Sequence, residues 1–236
     1  MRRYLCPKVS FNKAINADRT ADVWTIPPWT EEFIDILGEA VPKPRFRTQA
    51  KMAWDDEALY ILADMEEPHL WATLTEHDSV IFQDNDFEVF LDPDGDAKLY
   101  AELEVNALNT TWDLLLVTPY HEGGPALDGW EIKGLETAVA LRGTLNDPRD
   151  IDDGWTLEIK LPWDGLKEIS GKAPCPPNPG DVWRLNFSRV QWHLEVVDEK
   201  YAKRPNTPED NWVWSPQGVI DMHQPEQWGY LEFTAD

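Results

Sequence analysis

Residues Asp84–Asp96 combine a strand pattern with an unusual number of carboxylates. In a strand, successive side chains alternate, so Asp86 and Glu88 face one side while Phe87 and Val89 face the other. A carboxylate in the middle of a strand, between large apolar residues, is costly unless it has a partner. The partner could be a protein cation, a metal ion or a ligand hydroxyl, and these three alternatives frame the functional question.

The next strand pattern carries a matching polar face. Glu104 and Asn106 alternate with apolar residues, and only the short turn Asp92–Lys98 separates the two patterns. We therefore expect a hairpin in which Glu88, Glu104 and Asn106 lie side by side. Such a face could bind sugar hydroxyls or a cation, or it could simply be solvated.

The two glutamates also permit a catalytic alternative. Glu88 and Glu104 could be the acid and base of a glycoside hydrolase. Retaining hydrolysis needs carboxyls about 5–5.5 Å apart, and neighbouring hairpin positions fall near that value. No second motif marks a catalytic cleft, so binding without catalysis is the preferred interpretation.

Three aspartates follow in the turn. Asp92, Asp94 and Asp96 resemble a calcium loop, but the glycine precedes the third aspartate, whereas in an EF-hand it follows, and flanking helices are absent. An acidic hairpin turn is the simpler interpretation. Calcium bound in a different geometry is the alternative, since oxygen ligands are dense here.

A later strand pattern, Val182–Val190, places an arginine on its apolar side. Arg189 must pair with a carboxylate to be tolerated there. Glu88 or Glu104 is one candidate partner, and a purely structural ion pair is the alternative.

The overall charge limits the class of ligand. The 236 residues include 44 acidic and 21 basic ones, a formal net charge of -23. Such a surface repels nucleic acids, anionic membranes and anionic polysaccharides. Neutral ligands and cations remain open, and the charge could also serve only to keep the protein in solution.

Aromatic content points toward flat apolar ligands. Thirteen tryptophans are many for this length, and exposed rings can stack on the C–H face of a sugar. Trp54, Trp155 and Trp183 lie in alternating strands and are expected in the core. Trp71 and Trp192 are the better candidates for a ligand platform.

Cofactor signals other than calcium are weak. The histidines lack paired metal spacing, which argues against zinc, and the four methionines give no credible haem ligand pair. No nucleotide site is expected. Cys6 and Cys175 could form one bridge or remain two free thiols.

No segment approaches the ~20 apolar residues of a membrane span. No signal peptide follows Met1, which favours a cytoplasmic protein or a secreted protein without its leader.

Short strands separated by Gly, Pro and Asp turns dominate the chain, a pattern typical of all-β folds. Two short helices are predicted at Thr30–Leu37 and Trp163–Ser170, and the absence of a linker or repeat favours a single domain over 1–236. The predicted strands span the following ranges: Phe46–Trp54, Leu59–Met65, Phe87–Leu91, Leu99–Asn106, Thr111–Val117, Leu135–Leu141, Trp155–Leu161, Val182–Val190, Trp192–Val197 and Tyr230–Phe233.

Several segments together resemble a known family. They occur in the order Val23-Trp24, Met52–Ile61, Asp84–Asp92, Gly154–Glu158, Trp183–Arg189, Trp214-Ser215-Pro216 and Pro225–Gly229. In this order and spacing the chain resembles the family 9 carbohydrate-binding modules, in particular the stand-alone family 9-like proteins. The resemblance implies a two-sheet antiparallel β-sandwich of jelly-roll or immunoglobulin-like type, related to the DOMON sandwiches. It also implies bound calcium and a slot for sugar ends between two aromatic rings.

The resemblance assigns roles to individual residues. Phe82 stands at the first stacking ring, where xylanase-linked members have tryptophan, and Glu88 stands at the strand glutamate that binds sugar hydroxyls. Glu104 replaces an arginine of the family. Met222, with His223 beside it, stands at the second ring.

The expected function is therefore non-catalytic binding of neutral plant-type glycans or their ends, associated with polysaccharide breakdown. The expected partners are an oligo- or polysaccharide and a glycosidase acting on the same glycan. The expected ligand residues are Trp71, Phe82, Asp86, Glu88, Glu104, Asn106, Arg189, Met222 and His223, with Asp92, Asp94 and Asp96 as the metal candidates.

Overall fold

Short strands of alternating polarity make up most of the computed structural model, which describes residues 1–11 and 14–235. One α-helix, α1 (Trp163–Leu166), and four short 3-10 helices interrupt them there: Asp22–Thr25, Ile81–Gln83, Tyr120–Glu122 and Pro225–Gln227. The strands are β1 (Arg3–Pro7), β2 (Ile34–Asp35), β3 (Thr48–Trp54), β4 (Ala58–Glu66), β5 (Asp86–Asp92), β6 (Tyr100–Asn106), β7 (Thr111–Leu116), β8 (Ala126–Leu127), β9 (Glu136–Arg142), β10 (Gly154–Pro162), β11 (Val182–Gln191), β12 (Leu194–Val197), β13 (Lys200–Lys203), β14 (Asp210–Val213) and β15 (Gly229–Thr234).

These strands form two large sheets and one hairpin. The larger sheet has the order β1-β15-β11-β5-β6-β7-β8, with β14 paired to β11 and β2 paired to β14. The second sheet has the order β3-β4-β10-β9, and β12 pairs with β13. Pairing is antiparallel except between β1 and β15, which are parallel. The prediction of an all-β, essentially antiparallel sandwich is confirmed.

The core lies between the two large sheets. Alternation along β5 places Phe87, Val89 and Leu91 there, against residues such as Ile61 from the second sheet. Trp54, Trp155 and Trp183 are at most 2% exposed, so the prediction that they are core residues is confirmed. Burial of these rings contributes much of the folding free energy, because each removes a large apolar surface from water.

A second apolar cluster covers part of the outer face of the larger sheet. Phe90, Tyr100 and Leu114 point away from the main core and contact Met222 and Trp228 of the loop before β15. This loop therefore forms a wall above β5 and β6. The wall is what turns the sheet face into a pocket.

One helix prediction was wrong. Residues 30–37 contain the two-residue strand β2 instead of a helix, because the backbone N–H groups of Thr30 and Phe33 donate to carbonyls of β3. The other predicted helix is present but shorter, ending at Leu166. Both cysteines are free. No helix in the described part of the chain is long and apolar enough to cross a membrane.

Candidate ligand-binding site

The central hairpin places four carboxylates on one face of the larger sheet. Glu88 lies directly opposite Glu104, and Glu102 lies opposite Phe90. Asp86 precedes Glu88 by two positions and shares its face. Directly opposite residues have Cβ atoms about 4.5–5.5 Å apart, so the acids are crowded together. The hairpin predicted from the sequence is confirmed in this register.

A cavity of about 330 Å³ opens above this face, and we call it the acidic pocket. Its floor comes from β5, β6 and β7, and its walls come from loops of the chain. No lysine or arginine is among its lining residues. They are Ile36, Phe82, Glu88, Phe90, Glu102, Glu104, Trp112, Tyr120, Val190, Glu209, Asn211, Ile220, Asp221, Met222 and His223.

Burial dominates the electrostatics of the floor. It raises the pKa of Glu88 to about 7, and it raises the pKa values of Asp86, Glu102 and Glu104 well above the usual range. The negative charge of Glu88 raises the latter three further. Without a ligand, several of these carboxyls therefore hold protons at neutral pH. A bound cation or a set of hydroxyl donors would change that state.

Backbone amides hold two of the acids in place. The Phe82 N–H donates to Glu104 Oε2 at 2.8 Å, and the Val190 N–H donates to Asp86 Oδ1 at 3.1 Å. The other oxygen of Asp86, Oδ2, is buried and has no hydrogen-bond partner among the described residues. An unpaired buried acceptor costs about 1–3 kcal/mol, so this oxygen calls for an explanation.

His223 closes one end of the pocket as a neutral group. Burial lowers the pKa of its imidazole to about 4, and its Nδ1 lies 2.9 Å from the Tyr100 hydroxyl. Its Nε2 is 3.9 Å from Glu102, and the Tyr120 ring packs edge-on against it at 4.4 Å. The imidazole therefore carries no countercharge for the floor acids at neutral pH.

Most of the predicted ligand residues meet in this pocket. Phe82, Glu88, Glu104, Met222 and His223 all line it. Asp86 is fully buried on the same face and lies beneath the floor instead of lining it.

Asn106 does not line the pocket. Its side-chain amide donates to the carbonyl of Leu74 and to Asp84, and its Oδ1 accepts from the N–H groups of Leu108 and Thr110. All of its hydrogen-bonding groups are therefore engaged in holding loops. The structure corrects the sequence prediction, because the turn after β6 uses this amide.

Arg189 and Trp71 lie elsewhere as well. Arg189 faces the core side of β11 and pairs with Glu67 at 3.0 Å, so the expected pairing with Glu88 or Glu104 does not occur. Strand parity explains this, since both glutamates face the outer side. Trp71 is only 7% exposed, and Lys203 of β13 lies over its ring at 5.8 Å.

Sequence reasoning missed ten of the lining residues, and three of them, Glu102, Trp112 and Tyr120, offer polar or aromatic groups beside the predicted acids. Trp112 lies directly opposite Glu104 on β7, and Glu102 shares the polar face of β6. Both could have been found by extending the alternation already used for Glu88. Tyr120 begins the short 3-10 helix Tyr120–Glu122, and no sequence signal places it beside His223.

Backbone N–H groups donate hydrogen bonds to the aspartates of the acidic turn after β5. Asp92 accepts hydrogen bonds from the N–H groups of Gly95 and Ala97, and Asp94 accepts one from Lys172. One oxygen from each of Asp92, Asp94 and Asp96 lies within 4.8 Å of the others, so the three could approach one metal ion. Several of their carboxylate oxygens, however, already accept the hydrogen bonds from backbone N–H groups. These hydrogen bonds account for the three aspartates without a metal ion, and calcium at this turn stays a prediction.

A family model described as carbohydrate family 9 binding domain-like matches residues 15–233. No curated protein matches.

Solved structures share the fold at low identity. A family 9 carbohydrate-binding module from Caldicellulosiruptor kristjanssonii in complex with cellotriose is 17% identical, with a TM-score of 0.64 over 100% of this chain and 95% of that chain. The same description with glucose gives 18% identity and a TM-score of 0.66 over 100% and 97%. A protein of Bacteroides uniformis ATCC 8492, provisionally assigned as carbohydrate-binding, is 15% identical, with a TM-score of 0.69 over 98% and 99%. Because the family model covers nearly the whole chain, this protein belongs to the carbohydrate family 9 binding domain-like family.

Proposed function

We propose that the acidic pocket binds neutral carbohydrate without catalysis, and that its ligands are the terminal units of glucose-type glycans. The observation that supports the proposal is the pocket itself, where carboxylates and aromatic side chains converge in a member of this family. The two Caldicellulosiruptor structures, with cellotriose and with glucose, support the choice of ligand.

The shape of the pocket supports binding of sugar ends. Pockets for small ligands typically hold roughly 300–1,000 Å³, so about 330 Å³ lies at the small end. One or two sugar rings suit such a volume better than the middle of a long polysaccharide.

The pocket chemistry suits a ring with hydroxyls on its edge and C–H groups on its faces. Glu88 and Glu104 lie opposite each other, so they can accept from two neighbouring hydroxyls of one sugar. Trp112 and Tyr120 present aromatic surface to the same space. Few groups take part, so we expect weak binding per site.

Binding without hydrolysis fits the family better than the glycosidase alternative. The same two glutamates form the only carboxylate pair proposed for catalysis, and both are needed to hold hydroxyls in the binding model. An association with polysaccharide breakdown, beside a glycosidase acting on the same glycan, belongs to this proposal.

Calorimetric titration with glucose, cellobiose, cellotriose and xylobiose tests the proposal. We expect Tyr120→Ala to weaken binding roughly tenfold, or about 1.4 kcal/mol, because the ring leaves the pocket wall. Trp29→Ala is the control, since this partly exposed ring lies outside the pocket.

Two results would count against the proposal. If none of the neutral sugars produced heat with the wild-type protein, carbohydrate binding would be rejected. If incubation with cellotriose released reducing sugar, and Glu88→Gln abolished that release, the protein would be a glycosidase.

A further inference from the structure

Three carboxylates beneath the acidic pocket form a compact cluster. One oxygen each from Asp86, Glu88 and Glu104 lies within 4.8 Å of the others. All three side chains are at most 5% exposed. We call these three residues the carboxylate cluster.

No protein cation compensates the cluster. In the part of the chain that the structure describes, no lysine or arginine forms an ion pair or hydrogen bond with any of the three. Arg189, the cation expected there, points into the core and pairs with Glu67. His223 is nearest to Glu102 instead.

A second observation points to a missing ligand. Asp86 is fully buried, its Oδ1 accepts from the Val190 N–H, and its Oδ2 has no partner among the described residues. Asp86 lies on the same strand face as Glu88 and is one of the three residues of the cluster, so the cluster contains a buried carboxyl oxygen that lacks a partner. An unpaired carboxylate oxygen beside two further carboxylates is the arrangement that a cation would satisfy.

The cluster is also held firmly enough to select an ion. Its residues come from β5 and β6, two paired strands in the middle of the larger sheet. The Phe82 N–H fixes Glu104 through one oxygen, which leaves the other for a ligand. Preorganised ligands of this kind lose little conformational entropy when an ion binds.

We infer that the carboxylate cluster binds a divalent cation at the floor of the acidic pocket, that Ca²⁺ is the ion it suits, and that the ion coordinates sugar hydroxyls from below. The second half of this inference rests on the proposed function.

The chemistry of the three ligand atoms favours calcium over zinc. All three ligands are oxygens, without the nitrogen or sulfur that favours zinc. Ca²⁺ takes 6–8 oxygens at 2.3–2.6 Å in flexible geometry, so two of its ligands can lie up to about 5 Å apart, in agreement with the cluster. Three protein carboxylates leave coordination positions open toward the pocket, where two adjacent hydroxyls of a sugar can bind.

The test begins with Ca²⁺ alone. The full chain, freed of metal with EDTA and dialysed, is titrated with CaCl₂ by calorimetry. We expect a Ca²⁺ site whose affinity falls at least tenfold in Asp86→Asn and in Glu104→Gln. The double variant Asp94→Asn/Asp96→Asn neutralises two of the three aspartates of the acidic turn, and we expect it to keep this site.

The second stage repeats the cellotriose titration in CaCl₂ and in EDTA. We expect wild-type affinity to fall at least tenfold in EDTA. Glu104→Gln should respond little to EDTA, since its cluster no longer holds the ion. Thermal unfolding of each variant in EDTA verifies that it is folded, and the two single variants give independent tests if one of them is not.

The outcomes separate the inference from the proposed function. If no Ca²⁺ site depended on Asp86 or Glu104, the cation site would be rejected. If Ca²⁺ bound but sugar affinity were equal in EDTA, the bridging role would be rejected. If Ca²⁺ bound and no sugar did, the cation site would stand and the proposed function would fail. If glucosamine bound in EDTA while Ca²⁺ did not, the acids would serve an ammonium group and the inference would be overturned.

Discussion

Glu88 lines the acidic pocket and lies between Glu104 on β6 and Ser188 on β11. Burial raises the pKa of its carboxyl from 4.5 to about 7. A group with this property prefers to be protonated in the folded state and ionised in the unfolded state at intermediate pH. Ionisation of Glu88 therefore costs free energy in the folded protein at neutral pH, and a bound ligand can offset this cost.

The difference between the folded and unfolded pKa values of Glu88 predicts that stability depends on pH. Between pH 4.5 and 7 the folded protein binds a proton at Glu88 that the unfolded chain has released, so the free energy of unfolding falls as pH rises through this range. The full effect is on the order of 3 kcal/mol, from the size of the pKa difference. Thermal unfolding in EDTA from pH 4 to 8 measures it.

Glu88→Gln is the informative variant, because glutamine keeps the size of the side chain but does not titrate. Its unfolding free energy should fall less steeply with pH than that of the wild type. Glu57→Gln, at an exposed position, should keep the wild-type slope. Identical slopes for wild type and Glu88→Gln would contradict the prediction.

At the residue level, alternation was a reliable guide within strands and a poor one at their ends. It placed Glu88 and Glu104 opposite each other on one face. It could not foresee that Asn106, the last residue of β6, is used by neighbouring loops. Hydrogen bonds to loops depend on tertiary structure, which leaves no local pattern in the sequence.

At the level of elements, β11 connects the two sheets through a buried ion pair. The Arg189 guanidinium donates to the Thr48 hydroxyl at the start of β3 and to the Glu66 carbonyl at the end of β4, and it pairs with Glu67. Both charged side chains are at most 2% exposed. These contacts join β11 of the larger sheet to β3 and β4 of the second sheet.

Removing one partner should destabilise the protein strongly. We expect Glu67→Ala to lower the free energy of unfolding by about 3–5 kcal/mol, because the Arg189 charge stays buried without compensation. Denaturant unfolding measures the change. Asp56→Ala, which removes an exposed pair with Lys8, should cost less than about 1 kcal/mol. Equal costs for the two variants would show that the buried pair is not essential.

Element predictions failed where pairing with a distant strand overrode local propensity. Thr30–Leu37 has a plausible helix start, yet its backbone pairs with β3 and β14. β1 went unpredicted because its partner, β15, lies at the other end of the chain. In contrast, each strand predicted from strict alternation coincides with a strand of the structure.

At the scale of the whole molecule, the net charge of -23 and the acidic pocket act in the same direction. Both repel anions, and the pocket lining has no lysine or arginine to offset them. The charge therefore sets which sugars can approach. The single-domain prediction for 1–236 stays a prediction.

Glucuronic acid and glucose differ only at the sixth carbon, and they test this selectivity. In EDTA at low salt, we expect glucuronate to bind at least tenfold more weakly than glucose. The gap should narrow as NaCl rises, because screening shortens the Debye length from about 10 Å at 0.1 M to about 3 Å at 1 M. Calorimetry measures both affinities, and equal affinities for the two sugars at low salt would contradict the expected selectivity for the neutral sugar.

The parallel pairing of β1 with β15 has a consequence for how the protein is made. Arg3 pairs with Tyr230 and Pro7 with Thr234, so among the described residues β1 has its strand partner at a very large distance along the sequence. The larger sheet can be completed only when synthesis has passed residue 234. Such long-range pairing slows folding, and until residue 234 has been made, the edge of β1 stays without its strand partner.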